Sequence, residues 1–94
     1  NNYIDENGFK NNGEWYHIEL ETSEQTASII SERIYGKNQE VVISESKSIV
    51  KVDMQNKENI LSFILGFSDK IKILEPKWLI DELKKKIDLI SSLY

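Results

Sequence analysis

From Trp15 to Glu21 the chain alternates between apolar and polar residues. Tyr16, Ile18 and Leu20 fall on one side and Trp15, His17, Glu19 and Glu21 on the other. A period of two predicts a half-buried strand. The period then changes. Thr22-Ser23-Glu24-Gln25 has the T-x-x-Q form of a capping box, so a helix is expected from there, with Ala27, Ile30 and Ile34 as its apolar stripe and Gly36 as its end. Val41-Val42-Ile43 and Ile49 to Met54 are β-branched runs, and Glu45 to Ser48 between them is short enough for a hairpin.

Asn56 is placed to cap a second helix carrying Ile60, Phe63, Ile64 and Phe67, interrupted near Gly66 to Asp69. Lys70 to Leu74 alternates again, with Ile71 and Ile73 inward. Pro76 suits the first turn of a third helix, where its missing N–H costs nothing. Leu79, Leu83, Ile87, Ile90 and Tyr94 follow at helical spacing. The order is β-α-β-β-α-β plus a terminal helix, the split β-α-β arrangement of ferredoxin-like domains. An α+β sandwich is therefore expected: a four-stranded antiparallel sheet, helices on one face, the other face open. Asn1 to Gly13 is polar with two Asn-Gly pairs and reads as a linker from an upstream domain, leaving 14–94 as the folded unit.

Composition narrows the class. Ninety-four residues make one small domain, and 39% hydrophobic with 30% charged residues is an ordinary globular balance. No apolar run reaches the roughly 18 residues of a membrane span, and no signal peptide is visible, which with the lack of cysteine fits a cytoplasmic location. Without cysteine there is no thiolate nucleophile and no cysteine-based metal site. A net charge of −4 argues against generic phosphate-backbone binding, although lysines crowd the last third of the chain.

Candidate chemistry is sparse. His17 is the single histidine, and no serine lies in a G-x-S-x-G context. On the outward face of a strand, His17 is expected to pair with a cross-strand carboxylate rather than act as a base. The four glycines are isolated, so no phosphate cradle forms, and neither a catalytic site, a metal centre nor a cofactor site is expected. An RNA-recognition-type face would need aromatics on both central strands. Trp15 supplies one, but Ile49, Lys51 and Asp53 on the third strand supply none, and Lys51 is expected opposite a glutamate. Lys84 to Lys86 read as the wet face of the last helix. Trp15 and Trp78 are candidates for protein contact, with Trp78 alternatively covering the core.

The run Leu61 to Leu79, with Leu65-Gly66-Phe67, a short strand over Ile71 to Leu74 and Glu75-Pro76 opening the last helix, resembles the C-terminal extension (WCX) domain of bacterial WYL-domain transcriptional regulators. Glu32-Arg33-Ile34-Tyr35-Gly36-Lys37-Asn38-Gln39 resembles that family's segment at the end of the first helix. Tyr3, Gly8-Phe9 and Gly13-Glu14 resemble the stretch joining it to the WYL domain. Two segments depart. Ser68 stands where the family commonly has glycine, and Glu21-Thr22 where relatives often have Arg-Phe, so no anion contact by that arginine carries over.

The resemblance implies a non-catalytic regulatory and dimerisation domain. It would be a homodimer partnered by the WYL domain of its own parent chain, with DNA read by a helix-turn-helix outside this sequence and not by this domain. It implies no named effector. Trp15, His17 and Lys51 on the open face are the expected interface or effector contact. Two alternatives stay in view: an ACT-like small-molecule-binding regulatory domain, which lacks its glycine turn at Thr22-Ser23-Glu24, and a single-stranded nucleic-acid-binding module.

Overall fold

The alternation that opens the folded region sets the first strand, and a computed structural model, which describes residues 14–94, shows it as β1 (Trp15–Thr22). It is followed by α1 (Glu24–Ser31), β2 (Lys37–Val42), β3 (Ser48–Gln55), α2 (Lys57–Phe67), a 3-10 turn (Ser68–Lys70), β4 (Ile71–Glu75) and α3 (Lys77–Ser91). The sheet has four strands in the order β2-β3-β1-β4, every neighbouring pair antiparallel. This is the expected ferredoxin-like arrangement. The expected linker over 1–13 lies outside the described residues.

One face of the sheet is the floor of the core. Ile18, Leu20, Val50, Val52, Met54 and Ile73 point from β1, β3 and β4 toward Ile30 of α1, Ile60, Leu61 and Ile64 of α2 and Leu79 of α3. Each fully buried Ile or Leu contributes about 1.5–3 kcal/mol, so the interleaved stripes of strands and helices supply most of the stability. Aromatic rings close the margins. Tyr16 meets Trp78 edge-on with centroids 5.0 Å apart, and Tyr35 stacks at a tilt on Phe63 at 4.7 Å. Trp78 thus covers the core beside Tyr16.

The first helix begins and ends differently from expectation. Ser23, not Thr22, is its N-cap, with Oγ accepting from the Thr26 backbone N–H at 3.2 Å. Thr22 remains in β1, where its hydroxyl donates to the Lys70 carbonyl at 2.6 Å and fastens β1 to the start of β4. The helix also stops early, at Ser31, so Ile34 leaves the stripe and is 89% exposed. The terminator is a side chain. Gln39 accepts from the Tyr35 N–H at 2.8 Å and donates to the Arg33 carbonyl at 2.8 Å, satisfying backbone groups that the broken helix leaves open.

Gly36 therefore does not end α1. A Cβ there would collide with the carbonyl oxygen of Asp53, so glycine is required for the chain to pass close against β3 as it enters β2. β2 starts at Lys37, earlier than its β-branched run suggests. A bulge between Lys37 and Glu40 absorbs one residue, and Asn38 takes φ 54 within it. Asparagine tolerates this left-handed conformation better than most residues. The hairpin loop is closed by Ser48, whose Oγ accepts from the Ser44 N–H at 3.0 Å and donates to the Ser44 carbonyl at 3.1 Å.

The second helix is capped by Asn56, whose Oδ1 accepts from the Asn59 N–H at 3.1 Å, and it runs through Gly66 without a break. It ends at Ser68, with φ 59 and ψ −127, a conformation glycine adopts freely and serine rarely. Pro76 immediately precedes α3 as its N-cap residue, one position before the first helical residue. The stripe of α3 outruns the core: Leu79 is fully buried and Leu83 half-buried, whereas Ile87 and Ile90 are 49% and 43% exposed.

Two substitutions test this backbone. Gly36→Ala should lower stability by roughly 1–3 kcal/mol, because the methyl group and the Asp53 carbonyl cannot share the space. Ser68→Gly should raise it by about 1 kcal/mol by removing the cost of a positive φ. Urea unfolding reads both as opposite shifts in midpoint at unchanged slope.

Candidate functional site

The alternation that buries Ile18 and Leu20 pushes their neighbours onto the open face, where strand register arranges them in rows. Val42, Ile49, Glu21 and Lys72 form one row across β2, β3, β1 and β4, and Glu40, Lys51, Glu19 and Glu75 form the next. Asp53 then stands opposite His17, and Gln55 opposite Trp15. Lys51 sits in register between Glu40 and Glu19, the cross-strand carboxylate environment expected for it.

His17 is the centre of the second half of this lattice. Its Nδ1 lies 2.8 Å from Asp53 Oδ1 and its Nε2 2.8 Å from Glu19 Oε2. Both neighbours are carboxylates, which when ionised only accept, so the two contacts are satisfied together by a doubly protonated ring. These hydrogen bonds, first from Asp53 and then from Glu19, hold the His17 pKa above its ordinary value and outweigh the slight burial that lowers it. Asp53 also accepts from Asn38 Nδ2 at 2.9 Å. That bond first, and His17 second, hold the Asp53 carboxyl below its usual range. A chain of side chains thus crosses the sheet from Asn38 on β2 through Asp53 on β3 to His17 and Glu19 on β1.

Glu75 joins at the far edge. The register shift between Glu19 and Leu20 brings Glu75 opposite Glu19, and His17, Glu19 and Glu75 each place a ligand-type atom within 4.8 Å of the others. When the ring is doubly protonated, Nε2 donates to Glu19, no lone pair is presented to a cation, and the group is an ion-pair cluster. The same geometry keeps His17 from serving as a base while it is doubly protonated.

Trp15, His17 and Lys51 all lie on this face. His17 and Lys51 are diagonal neighbours, since their partners Asp53 and Glu19 alternate with them across β1 and β3. Trp15 stands at the end of the strand, 41% exposed, with Lys37 Nζ 4.3 Å from its ring centroid. A lysine thus covers part of the tryptophan, a cation–π contact between β2 and β1. Sequence reasoning missed Glu75 and Asn38 as members of the cluster. A strand bulge brings each into place, and no residue spacing announces a bulge.

The lysines of α3 separate as helical spacing requires. Lys85 pairs with Glu82 at 3.4 Å, and Lys86 reaches Glu58 of α2 at 3.8 Å. They form no single basic surface. Among the described residues, no helix is long and apolar enough to cross a membrane.

An α+β domain with this strand order, a charged open face and a helix projecting past its core is a small sandwich of the ferredoxin-like class. The model of the WCX domain matches residues 14–90, so the chain belongs to the WCX domain family. This is a domain associated with WYL-type regulators, which points to a regulatory role. Comparison with curated proteins finds no match.

Proposed function

We propose that this chain is the non-catalytic regulatory and dimerisation domain of a bacterial, cytoplasmic WYL-type transcriptional regulator. It helps couple effector sensing to DNA binding by a helix-turn-helix elsewhere in the parent protein. The observation that carries this reading is the WCX match over 14–90, nearly all of the described fold.

Two surfaces support it. The open face carries Trp15, His17 and Lys51 among carboxylates, a lattice of charges whose pairing a partner domain can exchange for its own. Signal transmission requires contacts that differ between two arrangements of the parent, and exchangeable ion pairs provide them at small net cost. The second surface is the far half of α3. Its apolar stripe leaves the groove formed by Ile64, Leu65 and Leu83 at Ile87 and continues to Ile90, with Leu89 on the adjoining flank and the exposed Leu93 and Tyr94 just past the end of the helix, short of the helical stripe expected to reach Tyr94. An apolar stripe that outruns its own core suits a subunit contact.

In the full-length parent, Trp15→Ala combined with Lys51→Glu should abolish dimerisation or the effector response; unchanged behaviour in both assays removes the open face from the proposal. Ile90→Glu with Leu93→Glu should weaken dimerisation by tenfold or more, corresponding to about 1.4 kcal/mol or more, as read by light scattering across a dilution series. Both positions are exposed, so the 94-residue chain should keep its unfolding midpoint. A dimer of unchanged affinity would exclude α3 from the interface.

A further inference from the structure

The cluster around His17 has a property that the proposed contact does not use. An imidazole flanked on both sides by carboxylates, half-exposed to solvent, sits where the ordinary titration of histidine can reach it. We infer that His17 is a proton-operated clasp across the open face of the sheet. Doubly protonated, it bridges Asp53 of β3 to Glu19 of β1, and on losing one proton it releases one of these carboxylates and strips the face of their shared counter-charge.

The groups that face it determine the direction. On its own strand lies Glu19, and on β3 lies Asp53 opposite and Lys51 one row away. From β2, Asn38 holds Asp53 while Lys37 is turned over the Trp15 ring and Glu40 is paired with Lys51 in register. From β4 comes Glu75, a further carboxylate close to Glu19 and His17. Three carboxylates therefore surround the ring, and the cations nearby are Lys51 in the adjoining row and Lys37 in register with Asp53 in the row of His17 itself. A neutral ring can donate from only one nitrogen, so the other nitrogen then faces a carboxylate lone pair across the same short gap. That contact must open.

Linkage gives the pH window. The His17 pKa is raised in the folded chain, so its stabilising contribution is complete below the ordinary value of about 6.5 and fades as pH climbs through the folded value. Asp53 works in the opposite sense: its lowered pKa stabilises the fold above the ordinary carboxylate value and is lost as pH falls through the folded one. Both contributions are whole between these limits, in mildly acidic solution. Above the window the face gains negative charge at the residues next to Lys51. The effect on a partner rests on the contact proposed above, whereas the clasp belongs to this chain alone.

The test uses the 94-residue chain, whose single histidine gives one imidazole signal in NMR. His17 should titrate above 6.5, and Asp53→Asn and Glu19→Gln should each move the midpoint down toward that value. The urea midpoint of the unsubstituted chain should fall between pH 6 and pH 9, and His17→Gln should remove that fall. A histidine titrating at or below 6.5, or one indifferent to Glu19→Gln, would overturn the clasp. These readings involve no partner, so loss of the clasp and loss of the dimer contact are told apart.

Discussion

The pairing of β1 with β3 is the constraint on which the rest of the molecule depends. Eight residues of each strand stand in unbroken antiparallel register, from Trp15 opposite Gln55 to Thr22 opposite Ser48. That register places Ile18 and Leu20 beside Val52 and Val50 on the core side, and by the same alternation places His17 and Glu19 beside Asp53 and Lys51 on the other. A slip of one residue would exchange the two faces entirely, burying charges and exposing the core. The apolar floor and the charged lattice are therefore two consequences of a single alignment. The helices follow it, because their stripes fit the floor only in that register.

Where periodicity decides the outcome, the chain was legible. β1, β3, β4 and α2 lie where alternation or helical spacing puts them, and the strand order follows from connecting them. The failures share a physical cause. Gly36 looks like a helix terminator because glycine commonly is one, yet it is demanded by the carbonyl of Asp53, a residue distant in sequence. Ile34 extends the spacing of Ala27 and Ile30, but Gln39 bonds the backbone at that point and draws the chain away toward β2. The T-x-x-Q pattern competes with a second solution one residue later. Thr22 is occupied with β4, and Ser23 takes the cap.

The open face was readable in the same measure. Outward placement of Trp15, His17 and Lys51 needs only the strand period, and the glutamate opposite Lys51 needs only antiparallel pairing. The contributions of Asn38 and Glu75 depend on local irregularities of the ladder, which are tertiary compromises and leave no periodic trace. Ser68 is informative in another way. A residue with a side chain occupies a backbone conformation that favours glycine, at the position where the sequence resemblance set an expectation of glycine.

The reach of α3 past the core divides one helix into two mechanical regimes. Near Leu79 it is held by the whole domain and yields only when the domain yields. Beyond Ile87 its stripe lies half open to water, and little besides its own backbone hydrogen bonds keeps it helical; short helical stretches on such terms are marginal. Any surface that covers Ile90 and Leu93 would stiffen the helix as it binds. It would thereby feel, through a rigid rod rooted between β4 and α2, the state of the domain beneath.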